Sequence, residues 1–461
     1  MAARRNLVDA PLSSPSIQRR LFNLAWPIIG INVLAVLSLA VDTAMVGRVP
    51  NAEMALTGMG YGAQVAFLLS VAMIGLTVGT VAFIARAKGA GDGDRVQHLL
   101  QQSVQMTVVL GLVIAVVGNV AAAPLIRLLG ATSDTLPPAL DYLRPLLLGT
   151  AFNYLNILFS AALRGVGNTR LAFIVALVMN GLNFVFNYAL INGNWGFPAF
   201  GIASAAYGTV LSQAIAAVIM ITLLVRGTEA HLPFRPRPQP TDAPLVKELV
   251  RVGWPAAADL LVLNVAFLSI VGMLGRIDQA AVAAHTLGLR VQALAFVPGM
   301  SISQAIGAMV GQALGANDVP SARSVLKSGV LMNLVVMSSL GAVLIFFAES
   351  LVGVFGVARD SHLMGLSVQW MKLLGYSMPI VGVYIGFVGL LQGSGATRVS
   401  LRINFWSTIA VQVPLSYVLG FVFDLGAWGV WFAFPAVFFL KLSWALLEYR
   451  KGEWAKTGET V

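Results

Sequence analysis

The sequence predicts an all-α membrane protein: twelve transmembrane helices in two six-helix lobes, related by a parallel pseudo-two-fold repeat. Three observations predict it: an apolar composition, a count of long apolar segments, and a set of short signatures that occurs twice. The 461 residues are 58% hydrophobic and 10% charged, with mean hydropathy +0.83. Soluble domains carry about 25% charged residues, so this chain lacks the polar surface to enclose its core in water.

A bilayer crossing takes about 20 apolar residues. Such segments fall at 21–46, 56–84, 99–123, 140–164, 170–193, 201–226, 249–275, 285–313, 324–349, 367–392, 399–421 and 426–448. Backbone groups in lipid must bond internally, so each is expected to be a helix. The segment 56–84 exceeds the minimum and is expected to tilt or to extend past the membrane.

Trp26-Pro27 returns as Trp254-Pro255, and Gly47-Arg48 as Gly275-Arg276. Gly165-Val-Gly-Asn-Thr-Arg170 returns as Gly393-Ser-Gly-Ala-Thr-Arg398, and Phe200-Gly201-Ile202 as Trp428-Gly429-Val430. All four pairs keep one offset, 228; only Gly89-Ala-Gly-Asp92 and Gly315-Ala-Asn-Asp318 slip to 226. So long a period is a duplicated half-protein, a plan common among secondary transporters. The first lobe is 1–226, the second 249–461, and 227–248 joins them as a proline-rich, semi-rigid linker with Pro233, Pro236, Pro238, Pro240 and Pro244.

Charge sets the orientation. Twenty-one of the 29 Lys and Arg fall in the N-terminus, the even-numbered loops and the tail, among them Arg4, Arg5, Arg19 and Arg20, against seven on the other side. Basic residues favour the cytoplasmic side, which places both termini in the cytoplasm of a multi-pass protein of the cell inner (plasma) membrane. The net charge of +10 is thereby orientation and not a nucleic-acid surface. The remaining residue, Lys441, lies near the end of the last span and is expected to snorkel. No cleavable signal is expected, since the charged first twenty residues hold no apolar core. The absence of cysteine excludes disulfides, thiol metal sites and cysteine nucleophiles.

Polar residues within the spans are the candidate site. Asp42 sits late in the first span, flanked by apolar residues. An unpaired carboxylate in hydrocarbon costs several kcal/mol, so such acids face an interior or a wet cavity, where they capture cations or protons. The bland alternative is a helix-end acid at the interface, hydrogen-bonded or paired with Arg48. Its repeat equivalent is Ile270, so the acid belongs to one lobe. In the fifth span Asn180, Asn183 and Asn187 share one helical face, and Asn153 and Asn156 add two amides from the fourth. Each could equally be a helix-joining amide. Asp259, deep in the seventh span, either lines a cavity or pairs with a basic neighbour. Gln292, Gln304 and Gln412 read as helix-contact residues and His285 as a satisfied interfacial histidine. Pro27 and Pro255 are expected to kink the first helix of each lobe.

Val41-Asp-Thr-Ala-Met-Val-Gly-Arg48 resembles the signature of multidrug and toxic compound extrusion (MATE) transporters. So do the two Gly-x-Gly-x-Thr-Arg motifs, Ala281-Val-Ala-Ala-His285, Val310-Gly-Gln-Ala-Leu-Gly-Ala316 and the asparagine-rich fifth span. The resemblance covers most of 17–448 and is nearest to the DinF branch, while Asn183 to Gly201 is also similar to the NorM branch. It implies two lobes forming a V and export of cationic or amphipathic drugs against entering H+ or Na+. By position it makes Asp42 the first-helix carboxylate, and Asn183 with Asn187 the polar pair of the fifth helix. Many relatives carry aspartate where Asn187 stands, and the second-lobe carboxylates of NorM-type members fall on Leu263 and Val381.

The expected function is therefore a cation-coupled antiporter, with H+ favoured over Na+ because one acid remains where Na+ wants several charged or carbonyl oxygens. Asp42, Asn183 and Asn187 form the coupling site, which is also where Na+ would bind; Asn153, Asn156, Asn180 and Asp259 are candidate cavity residues. The expected partners are small organic molecules and membrane lipid, acting on a monomer without cofactor or resident metal. A lipid-linked oligosaccharide flippase of the same superfamily would need basic residues in its cavity to hold pyrophosphate. A membrane prenyltransferase would need paired acidic motifs for magnesium. Neither set is visible.

Overall fold

In a computed structural model the described residues are 14–49, 51–191, 193–197, 201–229, 231–237 and 239–456. Arg4, Arg5, Phe200 and Pro238, with the outermost residues 1–13 and 457–461 of the two lobes, lie outside them. Helices account for nearly everything described. In chain order they are α1 Ser14–Val46, α2 Ala52–Gly89, α3 Gly93–Leu128, α4 Leu136–Leu148, α5 Thr150–Val166, α6 Thr169–Ile191 and α7 Ile202–Val225. The second lobe has α8 Ala243–Ile277, α9 Gln279–Gly315, α10 Val319–Phe346, short α11 Ala348–Gly353 and α12 His362–Gly393. The span Thr397–Val422 then runs through α13 Thr397–Asn404, wide π-turns at Phe405–Gln412, α14 Val413–Tyr417 and a second π segment, Val418–Val422. Helix α15 Gly426–Lys451 follows, and α16 Glu453–Lys456 ends the described chain.

Eleven helices of this set are long and apolar enough to cross a membrane. The twelfth crossing, expected as one segment at 140–164, is the pair α4 and α5, bent by 55°. Pro145 lies four residues before the break; its ring removes a backbone donor and crowds the preceding turn. Helix α8 begins at Ala243, six residues earlier than the expected span, because Asp242 caps it by accepting from the Leu245 N–H at 3.1 Å.

The repeat is visible in local chemistry. Asp92 accepts from the Arg95 N–H and its equivalent Asp318 from the Ser321 N–H, both at 2.9 Å, so the third helix of each lobe starts with the same cap. Just before these caps the chain turns through the left-handed region at Gly91 (φ 74°) and at Asn317 (φ 56°), a conformation in which asparagine is the usual substitute for glycine. Thr169 Oγ1 donates to the Leu24 carbonyl at 2.9 Å, and Thr397 Oγ1 to that of Val252 at 2.6 Å, fixing the fifth helix of each lobe to its first.

The lobes meet on the side of the linker. Ile17 and Leu21 of α1 are buried in the core of the second lobe, while their equivalents Leu245 and Leu249 of α8 are buried in the core of the first. Beside them α2 and α9 cross at backbone distance: a side chain on Gly89 would overlap the Gln312 carbonyl, and one on Gly315 the Arg86 carbonyl. Arg86 donates to the Ser394 carbonyl at 2.9 Å, and Gln312 Nε2 to that of Gly165 at 2.8 Å. Buried to this degree, the linker-side ends close the V at that face.

Candidate functional site

Helix α1 carries Ser38 and Asp42 one turn apart, and α6 carries Asn183 and Asn187 at the same spacing, so two polar edges face each other where the helices pack. Asn187 Nδ2 donates to Asp42 Oδ1 at 2.6 Å and lies 3.4 Å from Asn183 Oδ1. Ser38 Oγ donates to that same Asn183 oxygen at 3.2 Å, and Asn183 Nδ2 donates to Thr209 Oγ1 of α7 at 3.1 Å. Asp42 is 7% exposed and Asn187 fully buried. Space for Asn187 exists because residue 208 is glycine, where a Cβ would run into Asn187 Oδ1. That amide oxygen is buried with no hydrogen-bond partner among the described residues. Arg48 is exposed and forms no ion pair among them, so the pairing with Arg48 is absent; Asp42, four residues from the end of α1, is hydrogen-bonded instead.

The other amides divide. Asn180 Nδ2 donates to the Ala176 carbonyl of its own helix at 2.7 Å. Asn156 Nδ2 donates to Phe152 and, at 2.8 Å, to the Gln213 carbonyl, joining α5 to α7. Asn153 is half-buried and makes no side-chain hydrogen bond among the described residues. None of the three enters the Asp42 network: Asn180 shares the face of Asn183 and Asn187 on the unbroken α6 but spends its amide on its own helix.

The second lobe holds a separate polar cluster. Asp259 of α8 accepts from Asn404 Nδ2 at 2.9 Å and from Ser400 Oγ at 3.2 Å, both on α13, and Tyr384 of α12 donates its hydroxyl to Asn404 Oδ1 at 2.9 Å. Lys441 completes it. Expected to snorkel, this lysine is instead 2% exposed, its Nζ 5.0 Å from the Phe438 ring centre and within electrostatic reach of Asp259. It stands ten residues before the end of α15, about 15 Å along a helix, too deep for its side chain to reach water. That depth was the signal in the sequence. His285 also departs from expectation: it is buried between Phe267 and Trp370, and its Nδ1 has no partner among the described residues. Sequence reasoning missed Ser38 and Thr209 as well, since hydroxyls that bond their own helix carbonyls are common in membrane helices.

Comparison with known proteins adds the following. The MatE family model matches twice, at residues 27–189 and 255–418, which begin 228 apart. A relative from Thermotoga maritima named "Probable multidrug resistance protein NorM" is 29% identical over 96% of this chain and 94% of its own. "Probable multidrug resistance protein YoeA" of Bacillus subtilis is 25% identical over 95% and 94%. A protein of Shewanella oneidensis named "FAD transporter" is 27% identical over 94% of each chain. Among solved structures, one titled as the outward-facing conformation of a multidrug resistance MATE family transporter superposes with TM-score 0.87 at 22% identity, covering 99% of this chain and 100% of that one. At that identity the likeness shows the fold, two lobes in a V; these matches do not carry a placing in the DinF branch.

Proposed function

From the premise that the chain belongs to the MATE family of transporters, we propose that it exports small cationic or amphipathic organic molecules in exchange for an entering cation, acting as a monomer. The observation that supports this reading is Asp42: a carboxylate within a span, buried, and bonded to an amide rather than to a basic residue. Such a charge is compensated by a mobile cation or not at all. The basic excess orients the linker side toward the cytoplasm of a plasma-membrane protein, so the V opens outward. A tag in 227–244 is then protected in intact cells and one in 193–196 reachable from outside; reversed accessibility sinks the orientation.

Asn187 suits the coupling ion to be H+. Facing a carboxylate it donates from Nδ2; facing a carboxylic acid it accepts through Oδ1 after turning its amide over. One residue thereby serves both states, and the oxygen left without a partner here is the acceptor the protonated state uses. Na+ would want several oxygens at once, and Asp42 is the one acid in this network. Cargo in the first lobe and a proton on Asp42 are exclusive, and each biases the two access states unequally, as coupling requires. An acid at the site also suits a cationic cargo better than an anionic one. In liposomes holding the purified protein, cargo movement is expected to follow a pH gradient at equal Na+. Movement driven by a Na+ gradient at equal pH, and indifferent to a proton gradient, overturns the choice of ion.

A further inference from the structure

Two cavities on the linker side share a wall. The first, about 880 Å³, lies between Arg95 and His98 of α3, Asp242 of the linker, Lys247 and Arg251 of α8, and Arg398 of α13. The second, about 760 Å³, continues along the outer surface between α8 and the span that starts with α13, lined by Leu261, Val262, Val265, Leu401, Phe405 and Trp406. Trp254 and Arg398 belong to both.

Charge and position together define what fits. In the first cavity Asp242 is taken up by His98 at 3.0 Å and by its cap, and Glu248 by Arg251 at 3.3 Å. Arg95 is within electrostatic reach of Asp242, whereas Lys247 and Arg398 form no ion pair among the described residues, so these two leave the mouth an excess of positive charge. The second cavity is apolar and lies where the helices face lipid: Leu261, Val265, Phe405 and Trp406 are all exposed. Trp254, half exposed at the junction, has the placing of an interfacial aromatic. A basic mouth opening onto an apolar trough matches a molecule with an anionic head and a hydrocarbon tail.

We propose that this trough binds an anionic phospholipid of the linker-side leaflet, its phosphate held by Lys247 and Arg398 and one acyl chain lying between α8 and the α13 span. Lys247 and Arg398 belong to the second lobe, and Arg95 of the first lobe lines the same mouth. The site is independent of the cargo and of the coupling ion.

The test is a lipid titration of the purified full-length protein in detergent, with bound lipid counted by native mass spectrometry. Dioleoyl phosphatidylglycerol is expected to bind about tenfold more tightly than dioleoyl phosphatidylcholine, the effect of a few interfacial cations. Lys247→Gln with Arg398→Gln, both at exposed positions, should bring phosphatidylglycerol down to the phosphatidylcholine level and leave phosphatidylcholine unchanged. Val262→Trp fills the trough without altering charge and should weaken both lipids. Millimolar inorganic phosphate should displace neither. Equal binding of the two lipids, selectivity that survives the double substitution, or insensitivity to Val262→Trp overturns the proposal, and displacement by inorganic phosphate assigns the mouth to a soluble anion instead.

Discussion

Each lobe buries one acid on its first helix, and each acid accepts an N–H from an asparagine 145 residues later: Asp42 from Asn187, Asp259 from Asn404. The likeness is not inherited position for position. Under the repeat Asp42 falls on Ile270 and Asp259 on Ile31. Since α1 and α8 enter from the same side, the acids differ by eleven residues in depth, about 16 Å along a helix. The more telling difference is charge. Asp259 has Lys441 nearby and accepts through Oδ2 from Ser400 and from Asn404, which Tyr384 holds, while its Oδ1 has no hydrogen-bond partner among the described residues. Asp42 has amides and hydroxyls around it and, among the described residues, no cation paired with it. One lobe supplies its own counter-charge; in the function proposed above, the other leaves that role to an ion from outside. A duplicated scaffold has thus kept one contact, first helix to fifth, and given it two uses.

The sharpest way to break the comparison is to neutralise each acid in turn. Asp42→Asn should leave insertion and folding intact and bring cation-driven export to background. Asp259→Asn should retain measurable export. If Asp42→Asn exported as well as the unaltered protein and Asp259→Asn did not, the coupling site would belong to the second lobe.

Lys441→Met tests the internal balance. Removing one member of a buried, mutually compensating set leaves the other exposed to its full burial cost, about 3 kcal/mol or more, so the thermal midpoint in detergent should fall by several degrees. Adding Asp259→Leu should recover most of the loss, and a double variant no more stable than Lys441→Met alone would show that the two charges do not compensate each other. No such rescue pair exists for Asp42.

Gly208→Ala is a subtler probe. Its methyl displaces Asn187 Oδ1, so export should fall severalfold while the second lobe, and the effect of Lys441→Met, stay as they were. Undiminished export would mean that Asn187 need not hold its present place.

The smallest effect concerns the linker that joins the lobes. His98, and after it the Leu245 N–H, hold the Asp242 carboxyl below the usual carboxylate range. A lowered folded value contributes stability above the unfolded value of about 3.9 and loses it as pH falls through the folded one. Protease sensitivity of 231–242 should therefore be flat from neutral pH to about pH 5, and Asp242→Asn should raise it slightly across that range. A rise on going from pH 7 to pH 6 in the unaltered protein would contradict this account.

Much of this was legible in the sequence because it is periodic or repeated. Twelve apolar segments and the fixed offset of 228 sufficed for the lobes. Asp42 and the asparagines of the fourth and fifth spans could be named because acids and clustered amides are rare in apolar helices; Asn183 and Asn187 were singled out among them by the family resemblance. What stayed hidden depends on which helix faces which. Lys441 lies 182 residues beyond Asp259, and no local pattern states that α15 turns its lysine toward α8. The same holds for His285 between Phe267 and Trp370, and for Asn156, whose partner carbonyl on α7 could be known only once the helices were packed.

The crossing of α2 and α9 carries one more meaning. Gly89 lies on the carbonyl of Gln312 and Gly315 on that of Arg86, while Ile17 and Leu21 enter the far core as Leu245 and Leu249 enter the near one. Each residue touches the equivalent of whatever its own equivalent touches, which is the reciprocity of an isologous dimer interface, here with an exchange of N-terminal arms. The protein is arranged as a homodimer whose subunits have been fused, and the proline-rich linker is the suture. Such an interface nearly maps onto itself under its pseudo-two-fold, so half-transporters carrying only the first or only the second lobe hold complementary surfaces for each other.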